Sequence, residues 1–118
     1  MSKYVYGIDL GTTYSCIAYQ DENGMSVVVK NSEGDNTTPS VISLAGDEPV
    51  VGQVAKDSAV FDAAYTLSLV KNKIGRKDEN GDPVMIYYGE EAEKEISPAT
   101  ASSYTLKKLA QDAGKMLD

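Results

Sequence analysis

Gly7-Ile8-Asp9-Leu10-Gly11-Thr12-Thr13-Tyr14 is the stretch that decides how this chain is read. Before it, Tyr4, Tyr6 and Ile8 alternate with Val5 and Gly7, the period of a strand. After it, Ile17 and Tyr19 alternate with Cys16 and Ala18, which predicts a second strand. Between the two lie one carboxylate, one glycine and two adjacent hydroxyls. Glycine reaches backbone angles that cost other residues roughly 1–2 kcal/mol, so such a turn can tighten and bring its N–H groups together. Converging N–H groups and threonine hydroxyls suit an anion such as phosphate. The carboxylate of Asp9 would repel bare phosphate but can hold a hydrated Mg²⁺ beside it. An ordinary hairpin with a polar tip has the same composition, and the turn alone does not separate the two.

Working outward, Asp21-Glu22-Asn23-Gly24 is a turn built on Asn-Gly, a strong hairpin signal. Residues 25–29 follow as a third strand, rich in β-branched valine, which makes the start of the chain a β-meander. The polar, turn-rich residues 31–40 separate this part from the next. Residues 41–44 and 49–51 read as short strands. Residues 53–60 read as a short helix with Val54, Ala55, Ala59 and Val60 inward, and residues 65–69 fit strand and helix equally. Residues 71–74 look like one helical turn stopped by Gly75. A tight turn over 78–83 leads to a strand at 84–88, and the charged residues 90–95 read as a solvated connector. Ser97 and Pro98 open a terminal helix as N-cap and first helical residue. Its apolar positions are Ala101, Leu106, Leu109, Ala110, Ala113, Met116 and Leu117; Lys107, Lys108, Gln111, Asp112 and Lys115 fill the other face.

Composition narrows the classes of function. The 118 residues fit one domain of ordinary size, and 42% hydrophobic with 25% charged residues is a globular rather than a disordered balance. The net charge of −7 disfavours nucleic acid or an anionic membrane as partner. Basic residues gather at Lys71, Lys73, Arg76 and Lys77, a patch that suits a small anion or simply a solvated helix end. Cys16 is the single cysteine, so no internal disulfide forms, and without histidine there is no His-based triad or His/Cys zinc site. No apolar run approaches the ~20 residues of a membrane span. Met1-Ser2-Lys3-Tyr4 contains no apolar signal core. A cytoplasmic protein is expected.

Four segments in order carry a resemblance. Asp9-Leu10-Gly11-Thr12-Thr13-Tyr14-Ser15-Cys16 resembles the first phosphate loop of the DnaK-type, 70-kDa heat-shock chaperones. Glu33-Gly34-Asp35-Asn36-Thr37-Thr38-Pro39-Ser40 is similar to that family's next hallmark. Val51-Gly52-Gln53-Val54-Ala55-Lys56 and Lys71-Asn72-Lys73-Ile74-Gly75-Arg76 resemble its third and fourth. The terminal helix is similar to the one the family places before its next core strand.

The resemblance implies an α/β architecture, here an α+β fragment of the actin-like ATPase (ribonuclease H-like) fold. Residues 1–37 would be the N-terminal strands of lobe I and residues 38–118 its small outer subdomain. The implied activity is ATP binding and hydrolysis coupled to peptide binding elsewhere in a larger chaperone, with ATP or ADP and Mg²⁺ in the cleft. Unfolded peptide clients and co-chaperones are the implied partners. By position, Gly11, Thr12, Thr13 and Tyr14 would contact the phosphates, Thr12 through its hydroxyl and Tyr14 mainly through its N–H. Asp9 would hold Mg²⁺ through water. Lys71 would be catalytic, offsetting charge that builds in the transition state.

The chain departs from the family pattern at Asn72 and Lys73, where a bulky basic residue and a leucine are usual. Residues 76–98 are also shorter than the family's by roughly a strand and its loop. A sugar kinase or filament-forming ATPase of the wider fold, and a non-hydrolysing interaction module, are the alternatives. The chain alone is expected not to turn over ATP. It is also expected to self-associate, through a sheet face carrying some of Tyr4, Tyr6, Ile8, Ile17, Tyr19, Val27 and Val29.

Overall fold

In a computed structural model, residues 5–117 are described; expectations for Met1 to Tyr4 and for Asp118 lie outside the described residues. β1 (Tyr6–Leu10) and β2 (Tyr14–Gln20) pair antiparallel, with Ile8 opposite Ile17 and Asp9 opposite Cys16. Directly opposed residues share a face. Tyr6, Ile8, Ile17 and Tyr19 therefore lie on one side, and Gly7, Asp9, Cys16 and Ala18 on the other. The expected Asn-Gly turn returns the chain into β3 (Ser26–Val28), which pairs with β2. Asp21 closes that turn by accepting the N–H groups of Asn23 and Met25 at 2.9 Å each, while Gly24 takes a φ of +79°.

The polar loop after β3 is built around Asn31, which is buried. Its Oδ1 accepts the N–H groups of Glu33 and Asp35, and its Nδ2 donates to the Thr37 carbonyl and to Thr38 Oγ1. All the side chain's polar capacity is used inside the loop, which is why an amide is tolerated there. The loop delivers β4 (Thr38–Pro39) to β2, setting Tyr14 opposite Pro39 and Ser15 opposite Thr38. The first sheet thus extends to Pro39.

The second sheet centres on β5 (Ile42–Ser43), flanked by β6 (Val50–Val51) and β7 (Thr66–Leu67). Ile42 pairs with both Val51 and Leu67 and is 1% exposed. Residues 65–69, which the pattern leaves open between strand and helix, resolve as the end of a 3-10 turn followed by β7. Between β6 and β7 runs α1 (Gln53–Ser58), shorter than expected and burying only Ala55; Val54 and Val60 face outward, against their expected inward placement.

β8 (Ile86–Tyr88) pairs with β9 (Lys94–Ile96), so part of the expected connector over 90–95 is a strand. Its Lys-Glu-Ile sequence carries no apolar alternation, and only Ile96, opposite Ile86, packs on the core. α2 (Pro98–Leu117) starts as expected, with Ser97 Oγ accepting the N–H of Thr100 at 3.1 Å.

α2 joins both cores. Ala101 packs with Ile42, Val51, Leu67, Val70 and Ile86, while Leu109 and Ala113 pack with Ile17 and Val29. The buried face differs from the expected one: it takes in Ser102, Thr105 and Asp112, while Leu106, Ala110 and Met116 are exposed. Ala101, Ser102 and Thr105 are small enough to let this part of the helix approach the sheets closely. The sheet face expected to lie open is in part covered: Leu109, Ala113 and Leu117 of α2 pack with Ile17 and Val29 and against Tyr6 and Tyr19, while Ile8 and Val27 on the same face stay exposed. The opposite face is open as well, with Val5 75% and Val28 45% exposed.

Candidate functional site

The turn from β1 to β2 is formed by Gly11, Thr12 and Thr13. Gly11 is required there by space rather than by φ: a Cβ would overlap the carbonyl oxygen of Tyr14. The turn is clamped from one side by Ser40, the residue after β4. Ser40 Oγ donates to the Gly11 carbonyl at 3.0 Å, and the Ser40 N–H donates to the Thr13 carbonyl at 2.8 Å. Ser40 Oγ also lies 2.8 Å from Ser15 Oγ. Tyr14 is half exposed, with its ring under Lys56 Nζ at 5.3 Å from the centroid and its hydroxyl 3.2 Å from the same ammonium.

Lys71 sits in a 3-10 turn (Val70–Lys73) that follows Leu69, a non-glycine residue in the left-handed region at φ 57°. The buried Val70 anchors this turn in the core beside Ala101 of α2. Leu69 bends the chain sharply between β7 and the 3-10 turn. With Val70 held inward, Lys71 is left exposed.

These pieces meet in one small recess. Leu10, Gly11 and Thr12 line it from the β1 end, Ser40 from the loop, and Val70 and Lys71 from the 3-10 turn; Ser102 and Thr105 of α2 close its floor. Gly11, Thr12 and Lys71, each picked out from sequence, are thus brought together although Lys71 follows Thr12 by nearly sixty residues. Among the described residues Lys71 makes no salt bridge, so its ammonium is available to an anion. Thr13 and Tyr14 are exposed on the outer side of the turn and do not line the recess. Asp9 is exposed on the open face of β1, opposite Cys16, and is also outside the recess. Among the described residues there is no cluster of three or more Asp, Glu, Cys or His side chains fit to grip a metal directly. A single exposed carboxylate does fit Mg²⁺ held through its waters, since that ion keeps several waters and takes one or two carboxylates.

Sequence reading missed two residues of this arrangement. Ser40 was visible only as the last letter of a motif, and its contacts reach back across 29 and 25 residues. Asn31 was visible only as one polar residue among many in a turn-rich loop. No helix among the described residues is long and apolar enough to cross a membrane.

The family model for the Hsp70 protein matches residues 5–118. The chaperone protein DnaK of Prochlorococcus marinus (strain MIT 9515) is 40% identical over 128 aligned positions, covering 96% of this chain and 20% of the relative. The chaperone protein DnaK of Deinococcus radiodurans is 41% identical over 130 positions, covering 99% of this chain and again 20% of the relative. The chain therefore spans about a fifth of the length of these curated relatives. Both alignments are longer than the 118-residue chain, so each relative carries residues that this chain lacks. With the β1–β2 turn, the two small sheets and α2 all falling within the matched span, the chain belongs to the Hsp70 family, whose nucleotide-binding domain has the actin-like ATPase fold.

Proposed function

We propose that this chain contributes one side of an ATP site in a chaperone that couples ATP hydrolysis to binding of unfolded peptides. The observation that carries this reading is the recess where Gly11 and Thr12 lie beside Lys71. Gly11 and Thr12 from the recess, with Thr13 and Tyr14 from the exposed side of the same turn, bind and orient the phosphates through their N–H groups and hydroxyls. The Lys71 ammonium, a compact charge on a flexible stem, offsets negative charge developing on the transferred phosphoryl group. Asp9 would hold Mg²⁺ through water, and charge neutralisation at the phosphate oxygens is the chemistry that the ion would supply there. Residues 1–37 act as the core strands of the lobe and residues 38–118 as its outer subdomain. Peptide clients and co-chaperones engage the longer protein, in the cytoplasm. The family match over residues 5–118 weighs against the sugar-kinase and filament readings.

The test uses a chimera in which this chain replaces the matching fifth of the Deinococcus radiodurans relative. Single-turnover ATP hydrolysis at the level of that relative, abolished by Lys71→Ala, is the expected result. A chimera that folds and binds ATP but does not hydrolyse it would instead support a non-hydrolysing interaction module.

A further inference from the structure

We propose that Ser40 is a positioning residue for the phosphate turn, holding Gly11 and Thr13 so that their neighbouring amides face the ligand. The inference rests on the ATP reading above and names a residue that this reading does not use. Ser40 reaches the turn through both its backbone and its side chain. Its N–H donates to the Thr13 carbonyl at 2.8 Å and its Oγ donates to the Gly11 carbonyl at 3.0 Å.

The planar trans peptide turns these two bonds into a statement about N–H groups. In each peptide unit the C=O of one residue and the N–H of the next point in opposite directions. With the Gly11 carbonyl drawn toward Ser40, the Thr12 N–H points away from it. With the Thr13 carbonyl drawn toward Ser40, the Tyr14 N–H also points away. Ser40 thereby sets two amides on the same outward side of the turn, the arrangement an anion requires.

Proton accounting gives the hydroxyls a direction. The Gly11 carbonyl can only accept, so the single Ser40 hydroxyl proton is committed to it. Ser15, 1% exposed, must then be the donor in the 2.8 Å contact with Ser40 Oγ. Neither bond that reaches the turn comes from Ser15: both come from Ser40, through its Oγ and its N–H. Removing the Ser15 hydroxyl leaves both in place, which makes Ser15→Ala a control for the loss of a hydroxyl as such.

Two experiments test this. In the chimera, Ser40→Ala should weaken ATP and ADP at least tenfold while leaving adenosine, which has no phosphate, within twofold. Ser15→Ala should stay within threefold for all three ligands. Equal loss of adenosine would mean a general structural role and overturn the proposal, as would wild-type ATP affinity in Ser40→Ala. A chimera that binds adenosine but no ATP before any substitution would overturn the ATP reading itself. In the 118-residue chain, NMR order parameters at residues 12–14 should fall in Ser40→Ala and stay unchanged along α2. Unchanged values at the turn would show that Ser40 does not hold it, whatever the ligand.

Discussion

Lys108 holds Asp112 at 2.7 Å, one helical turn further along α2, and the same ammonium reaches Glu33 at 3.2 Å in the loop after β3. Ser32 donates to the other Asp112 oxygen, so helix and loop are tied twice. Burial alone would raise the Asp112 pKa, but hydrogen bonds from Lys108 and Ser32 outweigh it and hold the pKa below 3.8. Burial likewise disfavours the Lys108 ammonium, yet its bonds to Asp112 and Glu33 leave its pKa above 10.5. A lowered carboxylate pKa contributes stability that is present above its unfolded value and lost as pH falls through the folded one. A raised lysine pKa contributes stability that is present below 10.5 and lost as pH climbs through the folded value. Asp112→Asn should therefore cost about 1.5–3 kcal/mol at neutral pH, the worth of hydrogen bonds to a charged group. Urea melts should show that deficit shrinking as pH drops below 3.8. A deficit independent of pH would mean that packing, not charge, is what Asp112 supplies.

Lys71→Ala in the chimera should abolish hydrolysis while leaving nucleotide affinity within about tenfold, roughly 1.4 kcal/mol. Lys71 is exposed at the rim of the recess; in the proposed reading it would act where charge develops, whereas the turn would hold the ground state. Single-turnover kinetics beside a binding titration separates the two effects. Wild-type turnover in the variant would remove Lys71 from the chemistry.

What was legible in the sequence had a local cause. The β1–β2 strands show in strict alternation, the β2–β3 turn in Asn23-Gly24, and the start of α2 in Ser97-Pro98. The recess was half legible, since Gly11, Thr12 and Lys71 could be picked out by residue type and motif. What stayed hidden depended on distant partners. β9 has a charged sequence, and only its pairing with β8 makes it a strand. Ser40 is an ordinary serine until Gly11 and Thr13 are placed beside it. The face of α2 was misread because helical periodicity counts large apolar residues, whereas close packing chose Ser102, Thr105 and Asp112 over Leu106 and Met116.

Gly11 and Gly7 should respond differently to alanine. A Cβ at Gly11 would collide with the Tyr14 backbone, but nothing lies within 4 Å of one at Gly7. Gly11→Ala should cost about 1–3 kcal/mol, the usual range for overpacking, and should weaken ATP in the chimera. Gly7→Ala should stay within about 0.5 kcal/mol of wild type, as exposed substitutions do. Denaturant midpoints for the pair check this, and equal effects would mean the β1–β2 turn is looser than its geometry shows.

The 118-residue chain by itself should bind ATP·Mg²⁺ weakly or not at all. Its recess offers the turn, Lys71 and Ser40, with the remaining lining from Leu10, Ile42, Val70, Ser102 and Thr105. None of these is an aromatic or amide surface on which an adenine could stack or pair. Calorimetry on the purified chain is the direct measurement. A dissociation constant in the low micromolar range, about −8 kcal/mol, would show that this half-site binds nucleotide on its own.

The isolated chain should also associate as its concentration rises, mainly through the face opposite the one its sequence pattern indicates. α2 covers Ile17 and Val29, which leaves, among the described residues, only Ile8 and Val27 exposed on that face of the first sheet. The opposite face presents Val5 and Val28, 75% and 45% exposed, around Gly7, Cys16 and Ala18. Among the described residues β1 has β2 as its one neighbouring strand, leaving its outer side as a sheet edge. An edge offers backbone groups for pairing with a second copy, and each apolar side chain fully buried there returns about 1.5–3 kcal/mol. Two valines and an edge set that return against an association cost of about 4–15 kcal/mol, so a weak, concentration-dependent equilibrium is expected rather than a stable dimer. Val5→Lys places a charge where pairing would begin and should shift the equilibrium toward monomer. Light scattering coupled to size exclusion over a hundredfold range of concentration measures this. A monomeric mass throughout for the wild-type chain would show that the open face and the β1 edge do not attract another copy.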